Sequence, residues 1–379
     1  MEDILIFAGT ERCPELRREI PLSFGDPFLY AEVGGVRHVV IAAMERPRLA
    51  ALDVPAELHP REEFGSDELY RQGLTQDEEW EHLAVAFCQR YGVARAVVPG
   101  TFPVQMADGL RNAGIELTPD QSLFRDRRRA KTQAQLAGIR RAQRAAEAGM
   151  AAVAGLIARA EPREGGAVVD GEPLTSERLQ RMLLVTFLEH GALGDEVIAA
   201  HGPQSAVGHE TGSGVILPGE PIIVDIWPRD PATACYTDMT RTFVVGEPPA
   251  ELAGYHRVVK DAQDAAIAQV RPGADVRMVY DAAAEVIEKA GYPTGRTKEP
   301  GKPLDHGFYH GLGHGVGLEL HEAPLLMVTA RDELTVGDVI TIEPGIYRQG
   351  FGGCRLEDIL LVTEDDAEML TAFPYDLAP

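Results

Sequence analysis

Four carboxylates stand out because they lie within or beside apolar, strand-like segments of the 379-residue chain. Asp225 interrupts one such segment and Glu343 ends another, while Asp238 and Glu357 lie across the turns of the same two predicted hairpins. Antiparallel pairing would bring Asp225 near Asp238 and Glu343 near Glu357. An ionised carboxylate is costly to bury unless it is paired, hydrogen-bonded or bound to a metal ion. The pattern therefore predicts two carboxylate pairs that need one of these three partners.

Histidines cluster in a second feature, a glycine-rich segment between residues 306 and 321. It holds His306, His310, His314 and His321, with glycine at 307, 311, 313, 315 and 317. A spacing of four suits a helical metal-binding face, but this many glycines argues against a helix. In an extended segment, alternation places His310 and His314 on one face and His321 on the other, unless a bulge intervenes. Together with the two carboxylate hairpins, the histidines favour a functional cluster over four separate structural residues.

The elements that must position these residues lie after residue 130. The segment 130–160 is rich in alanine and lacks proline, which favours a long helix. Further elements are predicted as helices at 175–190, 249–270 and 276–290 and as long hairpins at 221–245 and 339–362. Helices followed by a hairpin, twice in order, suggest an internal duplication.

The first 125 or so residues predict a small α/β unit. A two-residue turn at Gly34-Gly35 joins two β-prone runs, and a helix is predicted over 76–91. His38, His59 and His82 are scattered along this region, and each is interpreted as a surface or core residue rather than a ligand. The long helix at 130–160 sets the predicted domain bounds at 1–127 and 128–379.

The ordered motifs of the C-terminal part resemble the M24 metallopeptidases. The motifs are Asp225, Asp238 with Met-Thr-Arg-Thr-Phe after it, His-Gly-Leu-Gly-His-Gly-Val-Gly-Leu-Glu-Leu-His-Glu at 310–322, Ile-Glu-Pro-Gly-Ile-Tyr at 342–347 and Arg-Leu-Glu-Asp at 355–358. The resemblance covers about residues 130–379 and implies the α/β (α+β) pita-bread fold. The N-terminal region resembles the accessory α/β domain of the creatinase, aminopeptidase P and prolidase branch, which methionine aminopeptidase lacks.

The resemblance implies that five residues bind two metal ions: Asp225, Asp238, His314, Glu343 and Glu357. Four carboxylates and one imidazole suit hard or borderline divalent ions, with Mn²⁺ expected and Co²⁺, Zn²⁺ or Fe²⁺ as alternatives. Two ions about 3.5–4 Å apart would share a water, lower its pKa and present hydroxide to a peptide carbonyl. Glu343 is the family's candidate for general base.

The same resemblance implies a set of substrate-side residues. His209 and His321 match the two histidines that contact the scissile carbonyl and stabilise the tetrahedral intermediate. His310 is expected to line the same pocket, and Tyr347 to support the metal site. Arg355 is expected to pair either with a substrate carboxylate or with a ligand carboxylate.

Some positions depart from the family pattern. Asp225 and Asp238 are thirteen residues apart, which lengthens the connecting loop by two residues relative to the usual spacing. Asp230, among prolines in that loop, is expected at its tip and offers an alternative carboxylate. Glu210 replaces a small residue after His209 and is expected to reshape the pocket. Cys235 and Cys354 are interpreted as buried structural thiols.

Composition and charge argue against several classes of protein. A net charge of -23 argues against nucleic-acid and membrane-surface binding. No apolar run approaches the roughly 20 residues of a membrane-spanning helix. The N-terminal residues lack a basic signal-peptide region, and no Cys-x-x-Cys pair occurs, so a reducing cytoplasm is expected.

The resulting functional prediction is an Xaa-Pro dipeptidase that acts on peptides with proline after the scissile bond, as a homodimer. An Xaa-Pro aminopeptidase acting on longer peptides is the first alternative. Non-peptide chemistry on the same fold is the second, either a creatinase-like amidinohydrolase or a lyase acting on dimethylsulfoniopropionate. The intact ligand set argues against the creatinase type and against a non-catalytic binding protein.

Overall fold

The computed structural model describes residues 2–52 and 54–379, so Met1 and Asp53 of the predicted first domain lie outside the described residues. The chain divides into two compact units, of which one ends at Arg128 and the other begins at Arg129. Within the described ranges, no helix has both the length and the apolar character needed to cross a membrane.

Unit 1 is a six-stranded mixed sheet with helices, in the strand order β4-β3-β2-β1-β5-β6. Its strands are β1 (Ile4–Ala8), β2 (Phe28–Val33), β3 (Val36–Ile41), β4 (Glu57–Pro60), β5 (Arg95–Val98) and β6 (Glu116–Pro119). Its helices are α1 (Pro14–Glu19), α2 (Arg46–Ala50), α3 (Ser66–Arg71), α4 (Gln76–Tyr91), α5 (Val104–Asn112) and α6 (Gln121–Arg129), with 3-10 turns at Ala43–Glu45 and Arg61–Phe64.

Local sequence signals explain two features of unit 1. The β2-β3 hairpin is confirmed, with φ values of 59° at Gly34 and 85° at Gly35, a conformation that favours glycine at both turn positions. Helix α4 begins at a capping box in which Thr75 and Glu78 satisfy each other's backbone N–H groups. Its buried face, which includes Trp80, packs into the core of the unit.

Unit 2 combines four long helices with four small sheets. Its helices are α7 (Gln133–Ala158), α8 (Ser176–Glu189), α9 (Ala250–Ile267) and α10 (Val276–Lys289), with a 3-10 turn at Gly202–Ala206. Its strands are β7 (Glu161–Arg163), β8 (Gly166–Val169), β9 (Glu172–Pro173), β10 (Ile198–His201), β11 (Ile222–Ile226), β12 (Met239–Phe243), β13 (His306–Gly307), β14 (Gly313–Gly315), β15 (Glu322–Leu326), β16 (Val339–Ile342), β17 (Gly345–Arg348), β18 (Gly352–Arg355), β19 (Asp358–Val362) and β20 (Ala367–Met369). The sheet orders are β7-β8-β9, β10-β11-β12, β13-β17-β18 and β15-β14-β16-β19-β20.

Two helix pairs cover the strands of unit 2, in the order that the sequence pattern predicts. Helices α7 and α8 share a core with β10, β11 and β12, while α9 and α10 share one with β16, β17 and β19. The first pair packs closely at Gly149, where an added Cβ would lie 2.6 Å from the Phe187 ring.

The second predicted hairpin, 339–362, is confirmed in its register, but its ladder is interrupted in the middle and its two halves belong to two sheets. Strand β16 pairs with β19, with Ile342 opposite Asp358, whereas β17 pairs with β18, with Gly345 opposite Arg355. The register is the same in both halves, and Pro344, which has no N–H to donate, lies at the interruption between them. Glu343 and Glu357 therefore lie at the points where the chain passes from one sheet to the other.

Candidate metal centre

A cavity of about 430 Å³ in unit 2 collects all ten residues predicted for the site. They are Asp225, Asp238, His314, Glu343 and Glu357 from the predicted ligand set, and His209, His310, His321, Tyr347 and Arg355 from the predicted substrate side. Its size lies within the roughly 300–1,000 Å³ of small-molecule sites.

The hairpin of strands β11 and β12 presents two of the carboxylates and binds a third, Glu357, through hydrogen bonds. Asp225 lies opposite Thr240, and Asp238 precedes Thr240 by two residues and so lies on the same strand face. The Thr240 hydroxyl donates to Glu357 Oε2 at 2.7 Å, and the Glu357 N–H donates to the Thr240 carbonyl at 3.0 Å. Thr240 thus ties the sheet-switching residue Glu357 to the β11-β12 hairpin.

His314 and Glu343 approach from the opposite side through strands β14 and β16. The His314 N–H donates to the Thr341 hydroxyl at 3.0 Å, and an added Cβ at Gly313 would lie 2.0 Å from the Thr341 carbonyl oxygen. His314 Nδ1 donates to the Gly315 carbonyl at 3.1 Å. Its Nε2 lone pair therefore faces the cavity, 3.4 Å from Glu343 Oε1 and 3.6 Å from Asp238 Oδ2.

The electrostatics of the cavity call for added positive charge. Burial raises the pKa of Asp238 and of Glu357 well above the usual range, and the neighbouring carboxylates raise both further. Burial raises the pKa of Glu343 to about 7, although Arg355 lowers it. Burial also lowers the pKa of His314 to about 4, so that its ring is a neutral ligand at physiological pH.

The donor atoms suit divalent cations. Asp238, His314 and Glu357 each offer one ligand atom within 4.8 Å of the others, and all three residues are buried. Buried carboxylates with one neutral imidazole match the preferences of hard and borderline ions. These residues therefore fit the divalent metal ions that the M24 motifs imply.

Arg355 pairs with a ligand carboxylate, which is the second of the two partners considered for it. Its Nη2 donates to Asp225 Oδ2 at 2.6 Å, and its Nη1 donates to the Tyr347 hydroxyl at 2.9 Å. The Tyr347 hydroxyl in turn lies 2.8 Å from His310 Nε2, while His310 Nδ1 donates to the Gly311 carbonyl at 2.7 Å. Arg355 thus lines the cavity with a buried guanidinium that is already engaged, and it orients Asp225.

His321 does not lie on the face opposite His314, as simple alternation would place it. A register shift between His314 and Gly315 bulges strand β14, and the following residues are not a regular strand. The rings of His314 and His321 consequently meet edge to face, with centroids 4.3 Å apart. His321 and His209 are both exposed and line the open side of the cavity.

Trp227, which follows Asp225 closely and departs from the family's small residues there, lines the cavity, whereas sequence reasoning missed Tyr309, Glu196 and Met327. Tyr309 carried a usable signal, because it is adjacent in sequence to His310. The Tyr309 hydroxyl donates to the Ala206 carbonyl at 2.6 Å. The Tyr309 ring packs against that of Tyr347, with the ring centroids 5.0 Å apart. Glu196 and Met327 reach the cavity only through the tertiary fold.

Asp230 is not at a loop tip, and it does not line the cavity. It is buried, and its two carboxylate oxygens accept from Arg141 of α7 at 2.8 and 2.9 Å. The same carboxylate accepts from the backbone and hydroxyl of Thr233. Because these partners satisfy Asp230, it anchors the lengthened loop instead of offering an alternative ligand.

The cysteine prediction is confirmed in that Cys235 and Cys354 are buried and free. Burial raises the pKa of Cys235 to about 11 and that of Cys354 to about 12. Protonated thiols of this kind are poor ligands and poor nucleophiles.

Solved structures with the same fold match nearly the whole chain. A prolidase from Pyrococcus furiosus has a TM-score of 0.76 at 23% identity, covering 99% of this chain and 97% of that one. An X-Pro aminopeptidase from Thermotoga maritima has a TM-score of 0.79 at 19% identity, covering 98% and 96%. These likenesses establish the fold and confirm the predicted α/β pita-bread class.

Sequence relatives match about half of the chain. An Xaa-Pro dipeptidase from Pyrococcus furiosus is 36% identical over 187 residues, which are 48% of this chain and 49% of that protein. A probable dipeptidase PepE from Mycobacterium tuberculosis is 36% identical over 182 residues, 48% of this chain and 45% of that protein. The chain spans about half the length of the curated relatives it matches.

The family itself is established by a longer match. The model of metallopeptidase family M24 matches residues 137–364, which is more than half of the chain and includes every predicted metal ligand. The members of this family are metallopeptidases, which use divalent metal ions. With this match, the chain belongs to metallopeptidase family M24.

Proposed function

We propose that this chain hydrolyses the peptide bond before proline and that it is an Xaa-Pro dipeptidase. The observation that carries the proposal is the convergence of four carboxylates and His314 in one cavity, on the motifs of the M24 family. Relatives named Xaa-Pro dipeptidase or dipeptidase support the substrate class. In this proposal residues 128–379 are the catalytic domain and residues 1–127 an accessory domain.

The proposed cofactor is a pair of divalent ions, with Mn²⁺ as the native metal. Asp225, Asp238, His314, Glu343 and Glu357 would hold them. When bound, such ions lower the pKa of water and polarise a carbonyl, which is the chemistry that amide hydrolysis needs. The intact donor set and the shortage of positive charge around it support this assignment.

The protein's own groups then perform three tasks. Glu343, whose Oε1 lies 3.4 Å from the Thr341 hydroxyl, is oriented to accept a proton from the attacking water. His209 and His321, on the open side, are placed to donate hydrogen bonds to the scissile carbonyl oxygen as negative charge develops. The connected side chains of Arg355, Tyr347 and His310 hold Asp225 in place.

A panel of proline peptides tests the substrate assignment. Full-length protein loaded with Mn²⁺ is assayed on Ala-Pro, Ala-Ala and Ala-Pro-Ala-Ala. We expect Ala-Pro to be cleaved at least tenfold faster than Ala-Ala. Release of alanine from the tetrapeptide without cleavage of any dipeptide would assign the aminopeptidase activity instead. Cleavage of none of these peptides would overturn a proline-directed peptidase.

Matched variants test the residue assignments. His314→Ala and Glu343→Gln should each lower kcat by at least a thousandfold, while His306→Ala, in the same histidine-rich segment but outside the cavity, should retain activity. Metal content measured on the same samples should fall in His314→Ala alone among the two histidine variants. Sedimentation velocity tests the proposed homodimer.

A further inference from the structure

We propose a second metal site in unit 1, in which His38, Glu57 and His59 bind one divalent cation of the zinc type. This inference does not depend on the proposed peptidase activity, because none of these residues belongs to the M24 motifs or to the cavity of unit 2. It replaces the sequence interpretation of His38 and His59 as separate residues.

Strand register brings the three residues together. Strands β3 and β4 pair in parallel with His38 opposite Glu57. His59 follows Glu57 by two residues on the same strand, so that both side chains point to the same face of the sheet. Glu57 and His59 follow His38 by 19 and 21 residues in the sequence. The strand pairing nevertheless brings all three side chains to one part of the sheet.

The donor atoms surround a common centre at bonding distance. His38 Nδ1 lies 3.2 Å from His59 Nε2 and 3.4 Å from Glu57 Oε2, and the last two atoms are 3.8 Å apart. A triangle with these edges has its centre about 2.0 Å from each corner, which matches the roughly 2.0–2.2 Å of Zn–N and Zn–O bonds. A small outward displacement of the ion would leave room for a fourth ligand such as water.

The surroundings prepare His59 to act as a ligand. Its Nδ1 lies 3.1 Å from Glu63 Oε2, so Nδ1 carries the proton and Nε2 keeps its lone pair. A carboxylate behind a ligating histidine is the usual outer support of a zinc site. That lone pair faces His38 Nδ1, Glu57 Oε2 and the Tyr91 hydroxyl, the last at 3.4 Å.

Aromatic rings pack against both histidines of the proposed site. Both histidines are buried, at 4% and 7% exposure, against the rings of Phe87 and Tyr91. The Glu57 side chain is 58% exposed, so the cluster is open to solvent on the side of this residue.

The proposed site would link the edge strand β4 to its neighbour β3. Strand β4 lies at the edge of the six-stranded sheet and has only four residues. An ion held by β3 and β4 together would attach this short strand more firmly. The role assigned to the ion is therefore structural.

The test counts metal on the full-length chain after the M24 site has been disabled. The background variant is His314→Ala with Glu357→Gln, stripped with chelator, desalted and titrated with Zn²⁺ and, as a visible probe, Co²⁺. We expect one ion per chain, with the absorption spectrum of Co²⁺ in a tetrahedral site. Adding His59→Asn should abolish binding, whereas His82→Asn, an exposed histidine in the same unit, should leave it unchanged.

Two milder variants keep the test decisive if His59→Asn fails to fold. Glu57 has an exposed side chain, so Glu57→Gln should fold normally and weaken Zn²⁺ binding at least tenfold. Glu63→Gln should weaken it by about 10–100-fold through loss of the outer support. No ion bound by the background variant, or affinity unchanged in Glu57→Gln, would overturn the proposal.

Discussion

The Tyr347 hydroxyl links two other residues of the candidate centre, His310 and Arg355, by hydrogen bonds. This buried hydroxyl lies between His310 Nε2 and Arg355 Nη1. Arg355 in turn holds Asp225, so the hydrogen bonds of Tyr347 help to fix the position of a predicted ligand. The site therefore depends on a buried polar chain in which each member satisfies the next.

Tyr347→Phe tests this chain. The change leaves a buried imidazole nitrogen and a guanidinium N–H without their partner, so we expect a loss of about 1–3 kcal/mol in the free energy of unfolding. Urea unfolding of unit 2 measures the loss. Tyr70→Phe, at a residue with 81% exposure, serves as control and should change stability by less than about 0.5 kcal/mol. Equal effects of the two changes would contradict the role of the hydroxyl.

At the scale of elements, Arg241 joins β12 to β19 and to the C-terminal segment. Its guanidinium, 1% exposed, lies 2.8 Å from Asp358 Oδ1 and donates to the carbonyls of Glu357 and Pro374. Because it binds the carbonyl of Glu357, it also fixes the backbone at a predicted metal ligand.

Arg241→Met should therefore be severely destabilising. It leaves Asp358 buried without its cation, and we expect a loss of about 3–5 kcal/mol. Arg140→Met removes an exposed ion pair with Glu368 and should cost less than about 1 kcal/mol. Denaturant titration of both variants measures the loss in the free energy of unfolding. A similar loss in both variants would show that burial does not determine how much each ion pair stabilises the fold.

The lengthened loop between β11 and β12 provides a pH-dependent test. Burial would raise the pKa of Asp230, but hydrogen bonds from Arg141 and Thr233 lower it below its ordinary value of 3.8. Its stabilising effect is therefore present above the unfolded pKa and disappears as the pH falls through the folded value. Asp230→Asn should reduce stability by about 1–2 kcal/mol at pH 7. In unfolding experiments from pH 7 to pH 3, the gap to the parent protein should shrink at the acid end, and a constant gap would exclude this linkage.

For the whole molecule, the two tryptophans report on different units. Trp80 is buried in unit 1, and Trp227 lines the cavity of unit 2. Each can be observed alone after the other is changed to phenylalanine.

Metal removal should lower the stability of unit 2. In Trp80→Phe protein, Mn²⁺ at a hundred times its dissociation constant should stabilise the folded state by about 2.7 kcal/mol, because binding favours the folded form. Thermal unfolding followed by Trp227 fluorescence measures the shift. His314→Ala in the same background should show little or none of it, and an undiminished shift there would place the stabilising ion elsewhere.

Much of this protein could be predicted from local sequence. Helices α4, α7, α8, α9 and α10 and the β2-β3 hairpin follow from periodicity, capping residues and turn glycines, which act over a few residues. The residues proposed as ligands could be identified because burying Asp225 or Glu343 in an apolar strand requires compensation, and because the motifs around them identify the family.

Tertiary structure decided what depends on contacts between distant residues. The division of the 339–362 hairpin between two sheets was not predictable, because it depends on distant strands: β14 pairs with β16, and β13 pairs with β17. The partner of Arg355, the position of His321 against His314, and the meeting of His38 with Glu57 and His59 are of the same kind. Sequence alone determined which side chains can do chemistry, and the packing of the chain determined which of them meet, because side-chain type is local whereas strand pairing is not.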